Sequence, residues 1–166
     1  MQLFNFSIRN LIIGFLLLSI SFALKAEVLN GTVIRVSDGD TITVLDKLSK
    51  EHKVRLMGID APEKSQAFGS EAKQTLSNYI YKKEVSVEYK KLDKYKRIFG
   101  KVTLDGQDIC LQMIREGMAW HYTEYEIEQS KTDRELYREA EAKAREVNLG
   151  LWVEKQAVSP WIFRQK

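Results

Sequence analysis

The sequence is poor in the residues that hold small proteins together covalently or through metals. Its 166 residues include one cysteine, which excludes an intramolecular disulfide framework. Two histidines and that cysteine leave too few soft ligands for a four-ligand structural zinc site. No apolar run reaches the roughly 18–20 residues a membrane-crossing helix needs, which excludes a multi-span membrane protein. There is no internal repeat, no low-complexity linker and no collagenous pattern. The net charge of +3 is too small to announce a polyanion partner by itself. One domain is expected at this length.

Acidic residues are absent from the first 26 positions. Arg9 precedes an apolar run from Leu11 to Leu24, 14 residues long, and Ser21-Phe22-Ala23 or Ala26 supplies small residues for cleavage. This is the pattern of an export signal, so residues 1–26 are predicted to be removed and 27–166 to form the working domain. Export to the periplasm or the medium is expected, without lasting membrane association. Cleavage after Ala23 loses only Arg9 and lowers the net charge to +2. Cys110, between Ile109 and Leu111, is then an unpaired thiol, expected to be a buried apolar side chain.

The domain alternates early. Ile34 and Val36, Ile42 and Val44, and Val54 and Leu56 recur with the period of half-buried strands. Pro62 opens a helical stretch with its body at Ser70–Ile80. Val85, Val87 and Tyr89, then Val102 and Leu104, predict strands four and five. A short helix over Ile109–Glu116 ends at Gly117. The longest helix, Lys131–Val147, carries Leu136, Ala140, Ala144 and Val147 as its apolar stripe. Five short strands and three helices predict an α+β fold, a small barrel capped by helices.

Charge is sorted along the chain. Eight basic and three acidic residues lie between Lys82 and Lys101, whereas eight acidic and five basic lie between Glu124 and Glu146. The basic region is either a polyanion track or an edge strand protected by lysines.

Four short pieces carry candidate chemistry. Asp38-Gly39-Asp40-Thr41 offers carboxylates from a tight turn, as a hard divalent cation prefers, although the same tripeptide also makes ordinary hairpins. Arg55 sits on a strand, opposite Val54 and Leu56, and Asp60 and Glu63 follow where that strand ends; Glu63 could equally be a first-turn helix acid. In Asp93-Lys94-Tyr95-Lys96-Arg97, a tyrosine among cations can stack on a base while the cations hold phosphate. The aromatics of Trp120-His121-Tyr122-Thr123-Glu124-Tyr125 either pave a pocket or pack the core.

These pieces, in this order, resemble the thermonuclease family, the staphylococcal-nuclease-like enzymes. The resemblance runs from about Val33 to Trp152 and includes Arg115-Glu116-Gly117-Met118-Ala119, Ala140-Glu141-Ala142-Lys143-Ala144 and Leu149-Gly150-Leu151-Trp152. It implies a five-stranded OB-fold-like barrel and a Ca²⁺-dependent phosphodiesterase acting on DNA and RNA, single strands preferred, leaving 3′-phosphate ends. It implies that Asp40, Asp60 and the backbone carbonyl of Ala61 bind the metal, with Asp38 outside them. Arg55 and Arg97 match the phosphate-binding arginines, and Glu63 matches the acid that orients or deprotonates water. Lys94, Tyr95, Lys96, Tyr122 and Tyr125 are the candidate substrate contacts.

The sequence departs from the family at three places. Lys96 stands where the family usually has glycine; it strains the turn if the position needs positive φ, or adds a phosphate contact. Lys64–Gly69 is shorter than the family's flexible loop. Of the expected aromatic pair, Tyr125 aligns but the other position is Thr123, so Tyr122 substitutes only if it faces the pocket. A monomer is expected. The alternative is a non-catalytic OB-fold domain that binds nucleic acid or protein.

Overall fold

The computed structural model describes residues 26–165, so the predicted export signal, apart from Ala26, lies outside the described residues. Five strands close a barrel: β1 (Glu27–Val36), β2 (Thr41–Asp46), β3 (Glu51–Leu56), and, after the two-residue β4 (Ile59–Asp60) and helix α1 (Gly69–Ile80), β5 (Glu84–Leu92) and β6 (Ile98–Leu104). β1 pairs antiparallel with β2 and β5, β2 with β3, and β5 with β6; a parallel β3–β6 pairing closes the ring. The fold is the α+β, OB-like barrel that the sequence predicts. Among the described residues no helix is long and apolar enough to cross a membrane.

Alternation fills the interior with Val33, Val36, Ile42, Val44, Val54, Leu56, Val85, Val87 and Val102. One predicted strand position is corrected. The β1–β2 register shifts between Val33 and Arg35, so Val33 and Val36 point inward and Ile34 is only half-buried. A bulge inserts one residue and flips the side chains beyond it, which strict alternation cannot reveal.

The helices cap the barrel. Ala72, Leu76 and Ile80 of α1 lie on one face and are buried. Helix α1 begins at Gly69, not at Pro62; residues 62–68 are turns and irregular backbone, and Phe68 enters the helix with φ 65°. After the short β7 (Gln107–Asp108), α2 (Ile109–Arg115) is capped by Asp108, whose side chain accepts the Leu111 N–H at 3.0 Å. Cys110 is buried and free, and burial first, then Asp108, pushes its thiol up to about 12.

Short β8 (Trp120–His121) leads through a 3₁₀ turn at Thr123–Glu128 into α3 (Lys131–Glu146). The predicted stripe of α3 is also corrected: Leu136 and Val147 are exposed, and Tyr137 is buried beside Ala140 and Ala144. The Tyr137 hydroxyl donates to Asp108 at 2.9 Å, satisfying a polar tip that would otherwise be costly to bury. A fourth, short helix absent from the sequence expectation, α4 (Pro160–Phe163), ends the described chain. Its Trp161 packs on Trp120 and Tyr122, at centroid distances of 5.5 and 5.4 Å.

Candidate active site

The site is assembled where strands end. β3 buries Val54 and Leu56 in the barrel, so Arg55 must emerge on the other face. Its neighbours in the sheet are Thr41 on β2 and Phe99 on β6. Pairing with Thr41 places the guanidinium beside the Asp38–Asp40 turn. Pairing with Phe99 places it near the turn that carries Arg97.

Gly39 lets the turn close. A Cβ there would fall 2.6 Å from Ala61 Cβ and 2.7 Å from Ala72 Cβ. The glycine of Asp-Gly-Asp therefore serves close approach of α1 and the Ala61 side chain, besides the turn itself. Asp38 Oδ1 accepts the Asp40 N–H at 3.1 Å, and Asp40 Oδ2 accepts the Ala61 N–H at 2.7 Å.

Arg55 binds the two acids together. Its Nη2 lies 2.7 Å from Asp60 Oδ1 and 3.0 Å from Asp40 Oδ2, while Nη1 donates to the carbonyls of Ile59 and Leu56 at 2.9 and 3.1 Å. Burial pushes the Asp40 carboxyl up to about 7, against the pull of Arg55; Asp38 and Asp60 add to the rise. Asp60 is held in place because β4 pairs with β8, Asp60 opposite Trp120.

Glu63 stands in the turn before α1, so it is not a first-turn helix acid. Its N–H donates to Gln66 Oε1 at 3.1 Å, its carbonyl accepts the Gln66 N–H at 2.9 Å, and Gly69 packs over that carbonyl.

Across the cleft, Asp93 organises the β5–β6 turn. Its Oδ1 accepts the N–H groups of Tyr95 and Arg97, both at 2.9 Å, and its Oδ2 accepts Arg97 Nε at 2.7 Å. Burial raises the Asp93 carboxyl, but these bonds together outweigh it and hold the group below the usual range. Lys94 and Arg97 both lie 5.2 Å from the Tyr95 ring centroid. Lys96 has φ 61°, so the position is left-handed and lysine strains it. It does not line the cleft.

The cleft encloses about 530 Å³ and is lined by Asp38, Asp40, Arg55, Asp60, Ala61, Glu63, Lys94, Tyr95, Arg97, Tyr122 and Tyr125 among others. All the sequence-predicted site residues except Lys96 therefore share it. The aromatic segment divides: Trp120 and His121 are buried, while Tyr122 and Tyr125 face the cleft, ring centroids 5.3 Å apart.

Among the cleft residues missing from the sequence expectation is a second guanidinium on the acids. Arg164, just past α4, donates to Asp60 Oδ2 and Glu63 Oε1, both at 2.7 Å. The signal for it was Ser159-Pro160, a helix-start pattern, followed by Trp161 and Arg164 one turn apart.

The donors available to a cation are carboxylate and carbonyl oxygens, a hard set that fits Ca²⁺ or Mg²⁺ rather than a soft metal. A cation beside Asp40 would also relieve the burial and acid crowding that raise its carboxyl. Among the described residues no three acid, histidine or cysteine side chains are gathered as a ready-made cluster; guanidinium groups stand against the acids instead.

The cleft gathers cations at both walls, Arg55 and Arg164 against Lys94 and Arg97, and the acids Asp38, Asp40, Asp60 and Glu63 at one end. A family model described as staphylococcal nuclease homologue matches residues 53–154. A protein of Haemophilus influenzae described as an uncharacterized endonuclease is 41% identical over 134 residues, covering 81% of this chain and 72% of the relative. A micrococcal nuclease of Shigella flexneri is 42% identical over 144 residues, covering 81% and 80%. An uncharacterized endonuclease of Escherichia coli is 39% identical over 139 residues, covering 83% and 86%. With the barrel, the order of the motifs and these relatives in agreement, the chain belongs to the staphylococcal nuclease family.

Proposed function

We propose that this protein is an exported, Ca²⁺-dependent nuclease that hydrolyses phosphodiester bonds in DNA and RNA, prefers single strands, and leaves 3′-phosphate ends. The observation that carries this reading is the bridge of Arg55 between Asp40 and Asp60, with Glu63 and Arg97 lining the same cleft. The relatives' names, which speak of endonuclease and micrococcal nuclease activity, support it.

Asp40, Asp60 and the Ala61 carbonyl would hold the cation, with Asp38 behind them. A bound cation supplies charge stabilisation at the phosphoryl oxygens. Arg55 and Arg97 approach phosphate from two sides and stay charged at any working pH; the Arg97 side chain is tied to Asp93 through Nε, which leaves its Nη pair for two parallel hydrogen bonds. Glu63 orients a water in line with the leaving 5′-oxygen and accepts its proton. Lys94, Tyr95, Tyr122 and Tyr125 hold the flanking nucleotides by charge and stacking. The exposed rings of Tyr95 and Tyr125 offer stacking faces to unpaired bases. The protein acts as a monomer in the periplasm or the medium.

The test is digestion of single-stranded DNA and of RNA by the mature protein, with added Ca²⁺ or with a chelator. Digestion only with Ca²⁺, yielding 3′-phosphate ends, is expected; no digestion in Ca²⁺ across a broad pH range would sink the proposal. Intact mass of the exported protein should show loss of roughly 23–26 N-terminal residues, by the small-residue cleavage rule.

A further inference from the structure

Asp60 has no oxygen free of a guanidinium. Oδ1 receives Arg55 Nη2 at 2.7 Å and Arg164 Nη1 at 3.2 Å, and Oδ2 receives Arg164 Nη2 at 2.7 Å. The Nη1 of Arg164 also reaches Glu63 Oε1 at 2.7 Å. Arg164 therefore grips Asp60 with its fork and ties it to Glu63, 101 residues earlier in the chain. The two carboxylates, Asp60 first, hold its guanidinium pKa above its already high value.

We propose that Arg164 is the resident counter-cation of this site, and that a divalent cation binds Asp60 by displacing it. The inference rests on the proposed metal role of Asp60. Calcium approaches carboxylate oxygens to roughly 2.3–2.6 Å, and a guanidinium on the same oxygens both occupies their lone pairs and repels the incoming charge.

Of the two arginines, Arg164 is the one built to leave. The Arg55 side chain is 12% exposed and is also fixed by two backbone carbonyls. The Arg164 side chain is 43% exposed and extends from the end of the four-residue α4. Its backbone need not move, because α4 is anchored separately. Trp161 packs on Trp120 and Tyr122, and Gln66 donates to the Val158 carbonyl. The side chain can swing into the cleft while the helix stays docked. In the metal-free protein Arg164 thus keeps Asp60 and Glu63 paired and in place, at the expense of metal affinity.

Ca²⁺ titration calorimetry on the mature protein tests this, comparing wild type with Arg164→Gln, Arg164→Lys and a chain ending at Phe163. Arg164→Gln and the shortened chain should bind Ca²⁺ about tenfold more tightly than wild type, the factor expected for losing one competing charged contact of this kind. Arg164→Lys, which keeps the charge but not the fork, should fall between. Circular dichroism and the melting temperature check that each variant folds. Equal affinity in all four proteins would overturn the inference and leave Arg164 a structural ion pair. Weaker binding without Arg164 would overturn it too, by showing that Arg164 arranges the ligands for the metal. Absence of Ca²⁺ binding in every protein would overturn the proposed metal role of Asp60, and this inference with it.

Discussion

Asp40 Oδ2 accepts the backbone N–H of Ala61 at 2.7 Å, across 21 residues of sequence. That bond ties the turn after β1 to the chain leaving β4. Both ends carry candidate metal ligands, so the same contact that closes the fold sets the spacing of the site.

Gly39 makes this contact possible, and Gly39→Ala should break it. The added methyl would meet Ala61 Cβ and Ala72 Cβ well inside normal contact. A loss of about 1–3 kcal/mol is expected from overpacking, measured by urea unfolding. Activity should fall with it, because Ala61 and its carbonyl are pushed from Asp40. Unchanged stability and activity would show that α1 gives way freely.

Glu63 and Arg97 line the cleft and lie outside the apolar core, so they can be changed without loss of that core. Glu63→Gln should lower kcat by about 10²–10⁴, the range for a general base. Arg97→Ala should lower it by about 10³–10⁵, the range for a phosphate-stabilising arginine. Both proteins should keep the wild-type circular dichroism spectrum. Arg55→Ala should differ, losing activity and also about 3–5 kcal/mol of stability, because it leaves the buried Asp40 carboxylate without its guanidinium. Wild-type turnover in Glu63→Gln or Arg97→Ala would remove those residues from the mechanism.

Lys96 sits at φ 61° in the turn that presents Arg97. Lys96→Gly should relieve that strain and stabilise the protein by about 0.5–1 kcal/mol, since part of the gain is lost to the freer unfolded chain. The midpoint of urea unfolding reads it. Digestion rates should change little, because Lys96 does not line the cleft. A large fall in rate would assign the lysine a phosphate contact.

Asp93 gives a pH signature. Its folded pKa is depressed by the bonds from Arg97 and Tyr95, so the folded state binds fewer protons than the unfolded one. Its contribution is present above the ordinary aspartate value of 3.8 and is lost as pH falls through the lower folded value. Wild type should therefore be more stable than Asp93→Asn at neutral pH, and the gap should shrink below about pH 4. A gap independent of pH would mean that the charge of Asp93 is not what holds the turn.

The strand pattern was legible because barrel strands bury every second side chain, and Ile42, Val44, Val54 and Leu56 obey that period. It misled at Ile34, where a bulge changes the count by one, and at Leu136, where a helix face is set by which neighbour covers it. Tyr137 looks polar at its tip, but its hydroxyl meets Asp108, supplied by β7 just before a different helix. Pro62 looked like a helix start, yet the backbone from Glu63 to Gly69 is folded first around Gln66.

The sequence alone determined the chemistry available: acids around Gly39, an arginine outside a barrel strand, and a cationic tyrosine turn. Those are local choices, and residue type with short spacing is enough to state them. Only the tertiary structure decided which carboxylates share a guanidinium, that Tyr122 faces the cleft while Trp120 and His121 do not, and that Arg164 reaches Asp60 from 104 positions away. No periodicity encodes such contacts. They exist because the closed barrel and the docking of Trp161 on Trp120 bring distant strand ends and the chain terminus to one place.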